Sequence, residues 1–248
     1  MTTRLVVLAY NEEAGIGENL AAIRDLGLGD LEIIVVDDGS TDRTEAIVRH
    51  MKETMPLDLL SHESNRGVAA AFDTGLRHAA AISKPGDFII TIEGDGTNSL
   101  QALRPIIGLL RQGYDVVCGS RYVPGGGYHG FPVKRLIFSV GANWVMRWYC
   151  GLKPVKDYTL FYRGYRAELL QEAFERYGRR FIEARGFFAN IEILVKLSRL
   201  RPLRAVETPV VYSYGAKRSA SKMRVWRNLS EYLRFFFRDT RNPSRPGS

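Results

Sequence analysis

The sequence predicts an α/β fold in which a mostly parallel, twisted sheet is flanked by helices. Short apolar runs that end in polar residues alternate with helical patterns of about 10 to 15 residues. This alternation is typical of parallel strands joined by right-handed crossovers. With 248 residues, 45% of them hydrophobic, the chain can build one large domain with its own core. We expect that domain at residues 1–215, followed by a basic amphipathic segment at residues 216–248.

The predicted elements follow one another from the amino terminus. Strands are expected at residues 4–9, 32–36, 57–61, 88–92, 115–118 and 157–163. Helices are expected after the first three strands, and then at residues 100–111, near 165–177 and near 187–200. A further helix begins at Lys134 and Arg135 and carries an aromatic stripe, which is usually a core face but which an interfacial helix also shows.

The strand at residues 88–92 ends against two carboxylates, Glu93 and Asp95. Its Ile- and Thr-rich sequence fits a strand that is buried on both faces. The carboxyl end of such a strand is where open α/β sheets bind ligands. Because carboxylate oxygens are hard ligands, Glu93 and Asp95, with Thr97 or Asn98 nearby, are predicted to hold Mg²⁺ or Mn²⁺. The alternative is a solvated turn, since the residues around Asp95 are turn formers.

Two familiar phosphate-binding motifs are absent from the sequence. No Gly-x-Gly-x-x-Gly follows the first strand, and there is no Gly-Lys-Ser or Gly-Lys-Thr of the Walker type. A dinucleotide site of the Rossmann type and a P-loop are therefore both disfavoured. A metal at Glu93 and Asp95 would neutralise a diphosphate and stabilise it as a leaving group.

The net charge of +8 is concentrated in residues 216–248, where nine Lys or Arg and two Asp or Glu leave +7. Apolar residues such as Trp226 and Phe236 recur there at helical spacing. This combination predicts an amphipathic helix on an anionic membrane surface. The alternatives are a helix that packs on the protein's own core and a nucleic-acid-binding tail. Acids at several strand ends would repel a polyanion, so no nucleic-acid partner is expected.

The location of the protein is predicted from what the sequence lacks. No apolar run reaches the roughly 18 to 20 residues that span a bilayer, and the first residues show no signal-peptide pattern. We therefore expect a cytoplasmic protein that binds peripherally to the cytosolic face of a membrane.

Five motifs together resemble the inverting glycosyltransferases of family two. They are AYNEE at 9–13, DDGSTD at 37–42, NRG at 65–67, an acid-x-Asp at 93–95 and GSRY at 119–122. Further motifs to about residue 223 are similar to dolichol-phosphate mannose synthases and bacterial polyprenyl-phosphate glycosyltransferases. The resemblance implies a GT-A type fold, a donor such as GDP-mannose or UDP-glucose, a divalent metal and a polyprenyl-phosphate acceptor.

The resemblance also implies roles for individual residues. The nucleotide sugar is expected to contact Ala9, Tyr10, Glu12, Asp38, Glu93 and Asp95. The expected metal ligands are Glu93 and Asp95, and the expected catalytic residues are Asp95, Arg121 and Asp157. The phosphate of the acceptor is expected to contact Arg135, Ser221 and Lys222.

The predicted reaction is metal-dependent, inverting transfer of a hexose, mannose or glucose, to a polyprenyl phosphate. A phosphate acceptor is already ionised, so it needs no strong general base, which fits a chain without an evident catalytic His. A soluble hydroxyl acceptor is the alternative, and it would need a carboxylate such as Asp157 or Glu192 as base. A non-enzymatic nucleic-acid-binding protein is the alternative from another class.

Overall fold

The computed structural model describes residues 1–130, 133–150, 152 and 154–213, with the backbone alone at 133–138, 142, 149 and 150. The expected amphipathic helix within residues 216–248 lies outside the described residues, and the division at residue 215 stays a prediction. Within the described part, no helix is both long and apolar enough to cross a membrane.

Strands and helices alternate through the first half of the chain. The elements are β1 (Thr3–Ala9), α1 (Ile16–Asp25), β2 (Leu31–Asp37), α2 (Thr44–Lys52), β3 (Leu57–Ser61), α3 (Val68–Ile82) and β4 (Phe88–Glu93). A 3₁₀ turn at Leu100–Ala102 then leads into α4 (Leu103–Arg111). Each of these elements overlaps the one predicted from the sequence.

The second half is less regular. Its elements are β5 (Val116–Ser120), β6 (Gly127–His129), α5 (Val133–Cys150), β7 (Arg163–Arg166), α6 (Ala167–Tyr177), α7 (Ala189–Leu200), β8 (Ala205–Pro209) and β9 (Val211–Ser213). The short strands β6, β8 and β9 were not predicted from the sequence. The predicted helices α5, α6 and α7 are present.

Seven strands form the main sheet in the order β3-β2-β1-β4-β7-β5-β8. β7 is antiparallel to both of its neighbours, whereas the other neighbouring strands are parallel. The predicted, mostly parallel sheet is therefore confirmed. Strands β6 and β9 pair separately in a small two-stranded sheet.

Helices cover both faces of the sheet. Successive side chains of a strand point to opposite faces, so alternate residues of β1 pack against different helices. Leu5 and Val7 of β1 pack in one apolar cluster with residues of α1, α2 and α4. Val6 and Leu8 pack in a second cluster with residues of α3, α6 and α7. The central strands are thus buried on both faces, as a parallel sheet requires.

The prediction of a strand at residues 157–163 is wrong for most of its length. Residues 155–162 are irregular, and β7 begins only at Arg163. The Asp157 carboxylate accepts hydrogen bonds from the backbone N–H groups of Thr159 and Leu160, each at 3.2 Å. Side-chain bonds of this kind turn the backbone locally and compete with a strand ladder.

Candidate active site

The carboxyl ends of β1, β2, β4 and β5 lie at one edge of the sheet. Ala9 pairs with Asp37, and Leu8 pairs with Glu93, so three strands end at nearly the same level. β5 runs in the same direction as β4, since both are antiparallel to the β7 strand between them. These strands and the loops that follow them carry Tyr10, Glu12, Asp38, Asp95 and Arg121 among the predicted site residues, and the sheet brings them to this edge.

Hydrogen bonds tie the loop after β1 to the loop after β2. Asn11 adopts a left-handed backbone conformation (φ 50°), which Asn tolerates better than most residues. Its N–H donates to Ser40 Oγ at 2.9 Å, and its Oδ1 accepts from Thr41 N–H at 2.8 Å. The N–H of Glu12 donates to Thr44 Oγ1 at 2.7 Å. Tyr10, half-buried, and Glu12, buried, are therefore held in fixed positions beside the ends of β1 and β2.

Asp38 is buried at the centre of a network that joins the loop after β2 to residues 62–67. Its carboxylate contacts His62 Nδ1 at 2.7 Å and accepts from Asn65 Nδ2 at 2.9 Å. It also accepts from the backbone N–H groups of Arg66 and Gly67, at 2.9 and 2.8 Å. The geometry gives Asp38 a role in shaping the loop, and its contact with the nucleotide stays a prediction.

Gly39 and Asp37, on either side of Asp38, explain the shape of the loop after β2 and its close packing against Ser64. Gly39 has φ +67°, and a Cβ there would lie 2.3 Å from the carbonyl carbon of Ser64, so a larger residue would push the two loops apart. Asp37 accepts hydrogen bonds from the N–H and Oγ of Ser40. Burial raises the pKa of Asp37 above its usual range, although these bonds partly oppose the shift.

The predicted metal ligands lie in an oxygen-rich cluster after β4. Asp95 is buried, and its Oδ1 accepts from the N–H and Oγ1 of Thr97 at 3.1 and 2.6 Å. Asn98 Nδ2 lies 3.5 Å from Glu93 Oε2. Asn98 Oδ1 is buried and has no hydrogen-bond partner in the described part of the chain.

These donors fit a hard divalent cation. Carboxylate, amide and hydroxyl oxygens are the ligands that Mg²⁺ and Mn²⁺ prefer, and substrate phosphates commonly complete the shell. A buried amide oxygen without a partner is costly unless a ligand meets it. Within the described residues there is no cluster of three or more His, Cys, Asp or Glu side chains suited to a metal, so Glu93 and Asp95 would need other oxygen donors beside them.

Tyr212 of β9 lies between this cluster and Arg121. β9 is held to the loop after β4, because Ser213 N–H donates to Thr97 O at 2.9 Å and Tyr212 forms an antiparallel bridge with Asn98. The Tyr212 ring centroid is 6.0 Å from the Arg121 guanidinium carbon. Burial first, and then the nearby negative charges of the cluster, raise the pKa of Tyr212 above its usual range.

The sequence analysis did not assign Tyr212 to the site. The available signal was the short apolar run at residues 210–212 after Pro209. That run predicts a strand but not its neighbour, since β9 pairs with β6 and not with the main sheet.

Arg121, just after β5, forms a buried ion pair with Asp157. Its Nε donates to Asp157 Oδ2 at 2.8 Å, and its Nη2 donates to Oδ1 at 2.9 Å. Nη2 also donates to Thr159 Oγ1 at 2.7 Å and to Ser139 Oγ, on α5, at 3.2 Å. The two charged side chains are 6% and 0% exposed. The sheet, the irregular segment before β7 and α5 thus meet at this ion pair.

The environment of Asp157 keeps it ionised. Burial alone would raise its pKa, but the charge and hydrogen bonds of Arg121, with backbone N–H groups, lower the pKa below its usual range. A carboxylate with a lowered pKa that is already bonded on both oxygens is a poor general base. The geometry therefore gives Asp157 the role of holding Arg121, and a direct role in catalysis stays a prediction.

Glu192 is also fully engaged, on α7. It accepts from the backbone N–H groups of Glu183 and Ala184, each at 2.8 Å, and from Lys196 Nζ at 2.8 Å. Glu192 is therefore a buried acid that is paired within the protein. Its bonds fix the segment that precedes α7 and leave it poorly suited to act as a base.

The described residues do not test the three residues predicted to bind the acceptor phosphate. Arg135 belongs to the first turn of α5, four residues before Ser139, but its side chain is outside the described residues. Ser221 and Lys222 also lie outside the described residues. Their roles stay predictions.

Comparisons with known proteins identify the family and agree with the fold. Residues 5–174 match the family described as glycosyl transferase family 2. The polyprenol monophosphomannose synthase of Mycolicibacterium smegmatis is 27% identical over 217 residues, which cover 85% of this chain and 77% of that protein. The dolichol-phosphate mannosyltransferase of Pyrococcus furiosus is 28% identical over 239 residues, covering 96% of this chain and 63% of that protein.

Two solved structures share the architecture. One is glucosyl-3-phosphoglycerate synthase from Mycobacterium tuberculosis with Mn²⁺, UDP and glucosyl-3-phosphoglycerate, with TM-score 0.65 and 21% identity over 97% of this chain and 79% of that chain. The other is a mannosyltransferase from Pyrobaculum calidifontis with GDP-Man and Mn²⁺, with TM-score 0.63 and 21% identity over 98% of this chain and 65% of that chain. These likenesses confirm the expected GT-A type fold. The chain belongs to glycosyl transferase family 2.

Proposed function

We propose that the chain transfers a hexose, mannose or glucose, with inversion from a nucleotide-diphosphate sugar to a polyprenyl phosphate. The observation that carries this proposal is the pairing of two unlike half-sites at one edge of the sheet. Glu93 and Asp95 provide oxygen atoms on one side, Arg121 provides a buried cation on the other, and Tyr212 lies between them. The similarity to polyprenol- and dolichol-phosphate mannosyltransferases supports it.

The oxygen-rich side is the donor side. Ala9, Tyr10, Glu12 and Asp38 are proposed to surround the nucleoside, because the loops after β1 and β2 meet beside the β4 loop. Glu93 and Asp95, with the amide oxygen of Asn98, would hold Mg²⁺ or Mn²⁺, and the bound cation would neutralise the leaving diphosphate. The two solved structures named above contain Mn²⁺ with GDP-Man or UDP, which supports this assignment.

The cationic side is the acceptor side. An oxygen of the acceptor phosphate attacks the anomeric carbon as the bond from that carbon to the diphosphate oxygen breaks, which inverts the configuration. The attacking oxygen is already ionised, so no base is needed. Asp157 and Glu192 both accept several hydrogen bonds within the protein, and this favours a phosphate over a hydroxyl acceptor. Arg121, Arg135 and Lys222 are proposed to compensate the charge of the phosphate.

The acceptor lipid implies a membrane partner. We place the enzyme peripherally on the cytosolic face of an anionic membrane, where residues 216–248 supply +7 of the net charge. Deleting residues 224–248 tests how much that segment contributes to membrane binding. A folded protein that no longer sediments with anionic liposomes would support it, and an unfolded protein would show that the segment packs on the core.

The test of function is a product assay with defined substrates. The protein is incubated with GDP-mannose, UDP-glucose and related donors, with Mg²⁺ or Mn²⁺, and with either a polyprenyl phosphate or soluble hydroxyl acceptors. We expect a hexosyl polyprenyl phosphate, identified by mass, with the anomeric configuration opposite to that of the donor. A glycosylated soluble acceptor without any lipid product would overturn the proposal in favour of the hydroxyl alternative.

A further inference from the structure

Three half-buried tyrosines, Tyr122, Tyr128 and Tyr212, lie together beside Arg121. The guanidinium carbon of Arg121 is 5.5 Å from the ring centroid of Tyr122 and 6.0 Å from that of Tyr212. The rings of Tyr122 and Tyr128 meet edge to face, with their centroids 6.3 Å apart. We call these three side chains the tyrosine wall.

The backbone around the tyrosine wall holds its members together. Tyr128 of β6 is the register partner of Tyr212 of β9, and partners in neighbouring parallel strands point to the same face of their sheet. The loop between β5 and β6 folds back so closely that a Cβ on Gly126 would lie 2.3 Å from the carbonyl oxygen of Ser120. Such a close approach of two backbone segments requires glycine. β6 is therefore held against the end of β5, which brings Tyr128 to Tyr122.

The tyrosine wall lies where the transferred sugar has to be. In a displacement with inversion, the attacking and leaving oxygen atoms are on opposite sides of the anomeric carbon, so the hexose lies between the two phosphate groups. The proposed sites for these groups are the oxygen-rich cluster after β4 and Arg121. Tyr212 lies between the two, because it forms a bridge with Asn98 and its ring is beside Arg121. Tyr128 and Tyr122 extend the same surface.

We propose that the tyrosine wall is the subsite for the hexose of the nucleotide-sugar donor, and that the ring of Tyr128 contributes to the affinity for that sugar. The proposal rests on the proposed function, because it names the residues that contact the group being transferred. A pyranose ring presents C–H groups on its faces and hydroxyl groups around its rim. Tyrosine offers a flat apolar ring to the first and a hydroxyl to the second, and it loses little conformational entropy on binding.

The hydroxyl groups of the wall suit a sugar. Burial raises the pKa of Tyr122 and of Tyr212 above their usual range, so both hydroxyls stay protonated and are able to donate to a sugar oxygen. The Tyr122 hydroxyl lies 3.0 Å from Ser139 Oγ, which fixes the direction of that ring. The wall therefore combines aromatic rings with positioned hydroxyl groups, as the recognition of a hexose requires.

Binding of paired ligands tests the proposal. Titration calorimetry with Mn²⁺ and without acceptor compares the affinity for GDP-mannose with that for GDP, and the affinity for UDP-glucose with that for UDP. Tyr128→Leu keeps an apolar side chain and removes the ring. We expect its affinity for the nucleotide sugar to fall about threefold to tenfold, and its affinity for the nucleoside diphosphate to stay within about twofold. Tyr128→Phe keeps the ring and should recover most of the loss.

Tyr114→Leu is the matched control. Tyr114 is also half-buried and also has an arginine against its ring, with the guanidinium carbon of Arg204 at 5.3 Å from the centroid. It lies just before β5, at the opposite end of that strand from Arg121. Tyr114→Leu should bind all four ligands as the unaltered chain does.

The remaining outcomes also decide the question. If Tyr128→Leu weakens the nucleotide sugar and the nucleoside diphosphate equally, its side chain shapes the fold or the nucleotide site, and the proposal is wrong. The proposal is also wrong if neither affinity changes. If the unaltered chain binds no nucleotide sugar, the proposed function fails together with this subsite. If the sugar-specific loss is observed but the transfer assay yields no lipid product, the subsite stands and the proposed acceptor is wrong.

Discussion

The two sides of the candidate site stabilise buried carboxylates in different ways. On the proposed donor side, Asp38 is held by an imidazole, an amide and two backbone N–H groups. On the proposed acceptor side, Asp157 is held by the guanidinium group of Arg121 together with backbone N–H groups. On the proposed donor side, Glu93 and Asp95 are the carboxylates proposed to bind an added cation, whereas the proposed acceptor side already contains the guanidinium group of Arg121, paired with Asp157.

Under the proposed function, this difference explains how one edge of the sheet would bind two anionic substrates. A nucleotide diphosphate needs added positive charge where Glu93 and Asp95 have gathered oxygen atoms. A lipid phosphate needs a fixed positive charge that does not leave with the product, and a buried ion pair holds Arg121 in place. Tyr212 separates the two sides, and it can contact both.

The largest expected effect comes from replacing the two buried carboxylates. Asp157→Asn leaves the Arg121 charge buried without its partner, so we expect a loss of about 3 to 5 kcal/mol in the free energy of unfolding. Asp38→Asn weakens hydrogen bonds to an imidazole, an amide and two backbone N–H groups, with an expected loss of about 1 to 3 kcal/mol. Urea unfolding followed by circular dichroism measures both. Equal losses would show that the two sides are not stabilised differently.

The next effect concerns the oxygen-rich cluster. Asp95→Asn removes a charged oxygen ligand at nearly constant volume, and turnover should fall about 100-fold or more. Glu93→Gln should be milder, and a chelator should abolish the activity of the unaltered enzyme. Asp25→Asn is the control, because Asp25 is an exposed acid at the end of α1. Unchanged turnover in Asp95→Asn would argue against a catalytic cation at Glu93 and Asp95.

Arg135→Ala tests the acceptor side. The lost interaction is with the phosphate of the lipid, so the KM for polyprenyl phosphate should rise about tenfold, and more than the KM for the nucleotide sugar. Arg111→Ala provides the control on the exposed end of α4. Steady-state kinetics with each substrate varied in turn measure the split. Equal changes in both constants would argue that Arg135 does not distinguish acceptor from donor.

Tyr212→Phe tests the boundary between the two sides. The substitution keeps the ring beside Arg121 and removes only the hydroxyl near Thr97, Glu93 and Asp95. We expect the metal concentration for half-maximal activity to rise about threefold to tenfold, with less than about 1 kcal/mol lost from the free energy of unfolding. Tyr114→Phe is the matched control, because Tyr114 lies just before the first residue of β5, whereas Arg121 follows its last residue. A purely structural role would lower stability and leave the metal dependence unchanged.

The smallest expected effect is a difference in pH dependence between two buried acids. The pKa of Asp157 is lowered, so its ionisation stabilises the fold above about pH 4, and that contribution is lost as the pH falls below this value. The pKa of Asp37 is raised, so its contribution is complete below about pH 4 and is lost as the pH rises through the raised value. The unfolding free energies of Asp157→Asn, Asp37→Asn and the unaltered chain are compared from pH 3 to 7. As the pH rises, the loss of stability in Asp157→Asn relative to the unaltered chain should grow, whereas the loss in Asp37→Asn should shrink.

The local sequence was sufficient to predict the first half of the fold and the edge of the sheet at which the candidate site residues gather. Apolar runs such as residues 88–92 identify strands because their side chains must be buried on two faces. Polar residues such as Asp38 and Asp95 mark where those strands end. Parallel strands then place their ends together, so spacing along the chain predicted the meeting of these loops without knowledge of any contact.

Only the tertiary structure showed how the second half completes the site. Residues 155–162 have the composition of a strand, but the bonds of Asp157 to Arg121 and to nearby backbone groups make them irregular. Tyr212 reaches Asn98 through pairing between distant parts of the chain. The sequence of the aromatic stripe of α5 is compatible with either burial or exposure, and in the structure Trp144 and Trp148 are exposed. Its exposure depends on which neighbours the folded chain brings to that face, and residue spacing within one helix contains no information about those neighbours.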